Sequence, residues 1–115
     1  MKPTLMGACW AVALLAAGVA VEAQAQSPAY ARNLASACFT CHGTDGRSVG
    51  GVPPNLAGQQ KDYLLQQLKD FKSGKRPATI MHQQAKGYTD QQLETIAGYF
   101  ASVARGPAAP APAAR

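Results

Sequence analysis

The chain is 115 residues long, enough for one small domain and little else. Eleven Lys+Arg against six Asp+Glu give a formal charge of +5, charged residues make up 15 %, and eight residues are aromatic. That composition excludes a charged disordered tail as the whole protein and argues against a large enzymatic pocket walled by the chain's own side chains. A domain of this size needs a staple besides its apolar core: a disulfide, a metal or a cofactor.

In chain order, the first feature is one that is removed. Met1-Lys2 is a short positive start, Leu5 to Val21 is an apolar run, and Ala23-Gln24-Ala25 offers the small residues a signal peptidase reads. The run is close to the lower limit of about 17 residues for a membrane span, so the pattern is read as a cleaved signal peptide over residues 1–25. Cleavage after Ala25 leaves 90 residues and no membrane span. Cys9 departs with the leader, and the cysteines that remain are Cys38 and Cys41.

Ser27-Pro28 reads as an N-cap and first helical position. Tyr30, Leu34, Ala37, Cys38 and Cys41 follow at spacings of three and four, one face of a helix. Gly43 to Gly58 is a loop with Gly50-Gly51 and Pro53-Pro54 inside it. A second helix starts near Gln59 or Gln60, carries Leu64, Leu65, Leu68 and Phe71, and ends at Gly74 before Pro77. Pro77 to Tyr88 is ambiguous, with a short helical turn around Met81–Ala85. Thr89-Asp90-Gln91-Gln92 is a capping box. Leu93, Ile96, Ala97, Phe100 and Val103 or Ala104 follow at helical spacing, and Gly106-Pro107 stops that helix. Residues 106–115 form a Pro/Ala-rich tail expected to be extended and flexible. No repeat or alternating strand pattern is present. The expected fold class is all-α: three to four helices with long loops over residues 26–105.

Cys38-Phe39-Thr40-Cys41-His42 carries the chemistry. C-x-x-C-H is the attachment motif of c-type haem. Two thiols three residues apart near a helix end reach the two vinyl groups on one porphyrin edge, and the next residue presents an imidazole to the iron. One covalent haem c then supplies the missing staple, and export suits it. The rival readings are weaker. A zinc site wants four ligands, and two cysteines with two distant histidines do not provide them. A redox dithiol wants a strand–helix context. A disulfide across two residues stabilises little.

His42 is thus the proximal iron ligand, and its other ring nitrogen needs an acceptor to fix tautomer and ring plane. The carbonyl of Pro53 or Pro54 can serve. For the distal side Met81 is the remaining methionine of the cleaved chain. It sits in the segment between two helices, and a thioether there raises the reduction potential. His82 beside it is the competing ligand, which would give bis-His iron. An open distal site is the third possibility.

With these residues in hand, the stretch from Tyr30 to Val103 resembles the class I c-type cytochromes. The resemblance implies the class I cytochrome c fold around one haem. It also implies that the Pro54 carbonyl, in Pro54-Asn55-Leu56-Ala57-Gly58, accepts from the haem-ligating histidine, and that Met81 is the distal ligand. Tyr99-Phe100 looks like the aromatic pair near the crossing of the N- and C-terminal helices, with Gly98 letting the backbones approach. More narrowly, Tyr63 to His82 and Ala85-Lys86-Gly87-Tyr88-Thr89-Asp90 look like the haem subunit of flavocytochrome c sulfide dehydrogenases. One departure stands out: several such subunits carry two haem domains, and this chain has one C-x-x-C-H.

The function expected on these grounds is periplasmic single-electron transfer by an exported, non-enzymatic haem protein. The resemblance implies a redox partner that is a sulfide-oxidising flavoprotein. The alternatives are a free shuttle to an oxidase or another dehydrogenase, and an open-site haem enzyme or sensor. The +5 charge raises nucleic acid as a partner, which export opposes. Lys61, Lys69, Lys72, Lys75, Arg76 and Lys86 are expected instead to steer an acidic partner. An apolar rim around Phe39 and Val52 is the other candidate docking surface.

Overall fold

The computed structural model describes residues 27–106, and the expected signal peptide and the tail from Pro107 onward lie outside those residues. The described chain is helical with no strand. Its α-helical stretches are α1 (Pro28–Ala35), α2 (Phe39–His42), α3 (Lys61–Ser73), α4 (Ile80–Lys86) and α5 (Asp90–Ser102). A 3₁₀ turn over Ser36–Cys38 joins α1 to α2, so the N-terminal element is one helical path with a tightened middle. The Ser36 hydroxyl donates to the Asn33 carbonyl at 2.7 Å, and the Phe39 N–H donates to the Ser36 carbonyl. Local bonds of this kind compete with the α ladder.

Caps account for the other boundaries. Ser27 accepts from the Tyr30 N–H, with Pro28 in the first turn. Thr89 and Gln92 form a reciprocal capping box at the start of α5. Gly74 ends α3, its N–H donating to the Phe71 carbonyl. α5 stops earlier than the sequence suggests. Val103 is already extended, at φ −72° and ψ 128°. Gly106 is not the terminator, because tertiary bonds take the chain first. Arg47 donates to the Ala104 carbonyl at 3.1 Å, and Arg105 to the Gly58 carbonyl at 3.1 Å.

The core is a small cluster of Ala35, Leu64, Ile96, Ala97 and Phe100, where α1, α3 and α5 meet. Leu34, Cys38, Phe39, Leu56, Leu65, Leu68, Tyr88 and Tyr99 pack half-buried around it. Phe39, Tyr99 and Phe100 form an aromatic triangle with centroids 5.3 to 6.3 Å apart. Tyr99 and Phe100 therefore sit where the N- and C-terminal helices meet. Gly98 does not mediate that approach: a Cβ there would meet only the Lys61 methylenes, 3.8 Å away. Val49, Val52, Tyr63 and Ile80 remain as large exposed apolar side chains.

Candidate functional site

The site begins at the end of the N-terminal helical path. Cys38 closes the 3₁₀ turn, and Cys41 and His42 belong to the short α2. Both cysteines are free thiols. Cys38 lies half-buried against the core, and that burial, with the neighbouring Cys41, pushes its thiol up to about 11. Cys41 is exposed.

His42 is buried, at 6 % exposure, and its Nδ1 lies 2.8 Å from the Pro54 carbonyl oxygen. A carbonyl can only accept, so Nδ1 carries the proton and Nε2 keeps its lone pair. Among the described residues Nε2 has no hydrogen-bond partner. This is the donor set that a c-type haem requires: one oriented, neutral imidazole and two unpaired thiols on the same turn. No group of three or more His, Cys, Asp or Glu side chains able to hold a metal ion occurs among the described residues, so a protein-only metal centre lacks its ligands.

The Pro54 carbonyl is itself held in place. The Leu56 and Ala57 N–H groups both donate to the Gly46 carbonyl, at 2.8 and 3.2 Å. Asn55 donates to the Ala57 carbonyl at 2.9 Å, and Gln59 donates to the Asn55 carbonyl. Pro53 is occupied otherwise: its carbonyl accepts the Ser48 hydroxyl. The proline loop is thereby sewn to the turn that follows His42.

Met81 is the second residue of α4, half-buried, where a short helical turn around Met81–Ala85 is expected from the sequence. His82 places its Nδ1 2.6 Å from the Phe71 carbonyl near the end of α3.

Several expectations about charge change with the geometry. Lys61 pairs with Glu94 at 2.7 Å, Lys72 with Asp90 at 2.7 Å, and Lys75 with Asp70 at 3.7 Å. Lys72 also donates to the Tyr88 carbonyl at 2.8 Å, and the Arg76 guanidinium stacks 4.5 Å over Phe71. Half of the expected basic face, Lys61, Lys72 and Lys75, is thus neutralised by carboxylates. Lys69, Arg76 and Lys86 are its exposed members without an ion pair among the described residues. The hydrogen bonds from Lys72 and Lys61 hold the Asp90 and Glu94 carboxyls below the usual range. Phe39 is not a free apolar rim either. It packs in the aromatic triangle beneath Arg32, whereas Val52 is 88 % exposed.

One cluster gave no signal in the sequence. Asp45 accepts the Tyr99 hydroxyl and faces Arg32 at 3.2 Å and Arg47 at 3.7 Å. The Tyr99 bond, and then the two arginines, hold its carboxyl below the usual range. This network ties α1, the turn after His42 and α5 together. Asp45 and Tyr99 lie 54 residues apart, beyond any local pattern.

A family model described as Cytochrome c matches residues 29–104, well over half of the chain. The chain is 42 % identical over 72 residues to the cytochrome subunit of sulfide dehydrogenase of Chlorobaculum tepidum, covering 63 % of this chain and 64 % of that protein. It is 44 % identical over 87 residues to cytochrome c4 of Pseudomonas aeruginosa, covering 76 % of this chain and 39 % of that one. It is 38 % identical over 78 residues to a thiosulfate dehydrogenase electron acceptor of Stutzerimonas stutzeri, covering 65 % and 36 %. The chain thus spans less than two thirds of the length of each of these relatives.

Proposed function

The chain belongs to the cytochrome c family, whose members are electron-transfer proteins carrying covalent haem c, and from that premise we propose a single-haem electron carrier that serves a dehydrogenase. The observation that carries the reading is the His42–Pro54 bond, which leaves Nε2 free on the same turn as two unpaired thiols. In this reading Cys38 and Cys41 would hold the haem through two thioethers, and His42 and Met81 would be the side chains that bind its iron. Haem c supplies one-electron ferric/ferrous chemistry when bound. The chain's own residues do the rest. Pro54 keeps the His42 tautomer and ring plane constant in both oxidation states, which limits reorganisation. Met81 fills the distal side, raises the potential and keeps water from the iron.

The partner is a sulfide-oxidising dehydrogenase subunit, a flavoprotein, and the site of action is the periplasm after cleavage of residues 1–25. Support comes from the apolar leader for export and, for the partner, from the likeness to a sulfide dehydrogenase cytochrome subunit. A freely diffusing shuttle is the second reading. It is favoured by the 44 % identity to a cytochrome c4, a match as close as that to the dehydrogenase subunit. Purification from the native source with a flavin assay separates the two. A stoichiometric flavoprotein carries the first, and a monomeric, flavin-free cytochrome overturns it. Met81→Ala tests the ligand assignment: the weak long-wavelength sulfur-to-ferric-iron band disappears and the potential falls. Persistence of that band sinks Met81 as ligand.

A further inference from the structure

α4 is seven residues long and has no side-chain cap at Thr79. A helix that short does not stand alone in water. Its position comes from what holds it to its neighbours, and three ties are visible. Ala85 is buried. Just beyond its C-terminus, Lys72 of α3 donates to the Tyr88 carbonyl at 2.8 Å. In its first turn, His82 donates from Nδ1 to the Phe71 carbonyl at 2.6 Å. Phe71 lies in the last turn of α3, where carbonyls have no α-helical partner, and it already accepts from Gly74 at 3.2 Å. Its second lone pair is therefore available to the imidazole.

Of the three ties, the His82 bond acts next to Met81. Ala85 and Tyr88 are four and seven residues away, while His82 follows Met81 directly on the same turn. We propose that His82 is the positioning residue for Met81: by hydrogen-bonding the α3 C-terminal turn, it fixes the first turn of α4 and so holds the methionine at the distal side. This gives the second histidine of the described residues a role through its Nδ1, the nitrogen bonded to α3. The inference rests on the reading of Met81 as the distal ligand.

The test uses the haem-loaded protein and three variants. His82→Ala removes the donor. His82→Gln keeps an amide whose nitrogen corresponds to Nε2, not Nδ1. His82→Asn places an amide nitrogen where Nδ1 stands. Imidazole added to the ferric protein competes with the methionine, and its apparent affinity rises with the fraction of molecules whose distal side is open. One hydrogen bond of ordinary net worth corresponds to about a five- to tenfold gain in apparent imidazole affinity for His82→Ala and His82→Gln. His82→Asn should stay within about twofold of the parent. Far-UV ellipticity of each variant shows that the helices are retained.

Parental imidazole affinity in His82→Ala overturns the proposal. Equal loosening in all three variants also overturns it, because ring shape rather than the hydrogen bond would then be responsible. Absence of the sulfur–iron band in the parent protein removes the premise, and the reading of Met81 fails with it. A band present in the parent but equally resistant to imidazole in every variant sinks the role of His82 alone.

Discussion

Gly46 is the position where one added carbon should do the most damage. It is buried at φ +76°, between the haem-attachment motif and the proline loop. A Cβ there would stand 2.7 Å from Phe100 Cδ1, 2.8 Å from its Cε1 and 3.0 Å from Leu56 Cβ. Two costs add for Gly46→Ala. The left-handed backbone costs an alanine about 1–2 kcal/mol. Overpacking against a buried ring costs about 1–3 kcal/mol more, since Phe100 cannot swing into solvent. The sum is about 2–5 kcal/mol, against a total stability of about 5–15 kcal/mol for a domain.

Two other glycines separate these terms. Gly50 has φ +86° and nothing within 4 Å of an added methyl, so Gly50→Ala carries the backbone strain alone, about 1–2 kcal/mol. Gly98 lies within α5, where a Cβ meets only Lys61 at ordinary contact, so Gly98→Ala should gain about 0.5–1 kcal/mol of helix propensity. At about 4–8 °C per kcal/mol for a domain of this size, the thermal midpoints should order as Gly98→Ala, parent, Gly50→Ala, Gly46→Ala, with the last at least about 8 °C below the parent. Gly46 also bears the carbonyl that anchors Leu56 and Ala57, so its variant should free the Pro54 carbonyl from His42 and raise the reduction potential, because the imidazole without that acceptor is a weaker donor. A Gly46→Ala midpoint within about 2 °C of Gly50→Ala, measured by calorimetry under the same conditions, would refute the packing argument.

Asp45 has its folded-state carboxyl held low, so its contribution to stability is complete above the usual carboxylate range and lost as pH falls through the depressed value. Tyr99 is held high, chiefly by burial and then by Asp45, so its share is complete below its ordinary value of 10.0 and lost as pH rises beyond it. Tyr99→Phe should therefore lower the thermal midpoint at neutral pH and make the acid decline shallower; an unchanged acid limb would exclude the Asp45 network as its source. Phe39→Ala opens the aromatic triangle of a half-buried ring and should cost about 2 kcal/mol, less than the roughly 3–5 of a fully buried one, in chemical denaturation. Lys69→Glu with Lys86→Glu should slow electron exchange with an acidic partner at low salt and flatten its salt dependence, with the haem spectrum unchanged. Lys72→Glu is expected to unsettle α4 instead, because that ammonium holds Tyr88 and Asp90.

Helix existence is legible in the sequence because its causes are local. The Ser27-Pro28 start, the Thr89–Gln92 box and the Gly74 stop each satisfy backbone groups with residues at most three positions away, and each stands where the pattern places it. The end of α5 escapes a local reading for the opposite reason. Nothing near Val103 forbids a helix; the chain leaves because Arg47 and Gly58, some fifty residues back, take up Ala104 and Arg105. The aromatic pair on α5 is readable from the resemblance, but the function of Gly98 is not, because small size at a crossing does not say what fills the space. Here a lysine stem fills it.

The same division runs through the site. C-x-x-C-H is a local motif, and its spacing states its chemistry without any knowledge of the fold. Which backbone group a histidine beside a methionine braces depends on what stands opposite its ring. His82 meets a backbone carbonyl eleven residues earlier in the chain, and backbone carbonyls carry no sequence signature. The basic stretch shows the same thing with charge. Lys61, Lys72 and Lys75 read as a positive face when counted along α3, yet Glu94, Asp90 and Asp70 cancel them in space. What stays without an ion pair is Lys69 on α3, Arg76 just beyond it and Lys86 at the end of α4, while Ile80 is exposed at the start of the helix that bears Met81. Exposed charges of this kind mainly raise the encounter rate and contribute little to holding a complex together. A lasting subunit interface would have to draw on Val49, Val52, Tyr63 and Ile80, the large apolar side chains this small core leaves uncovered.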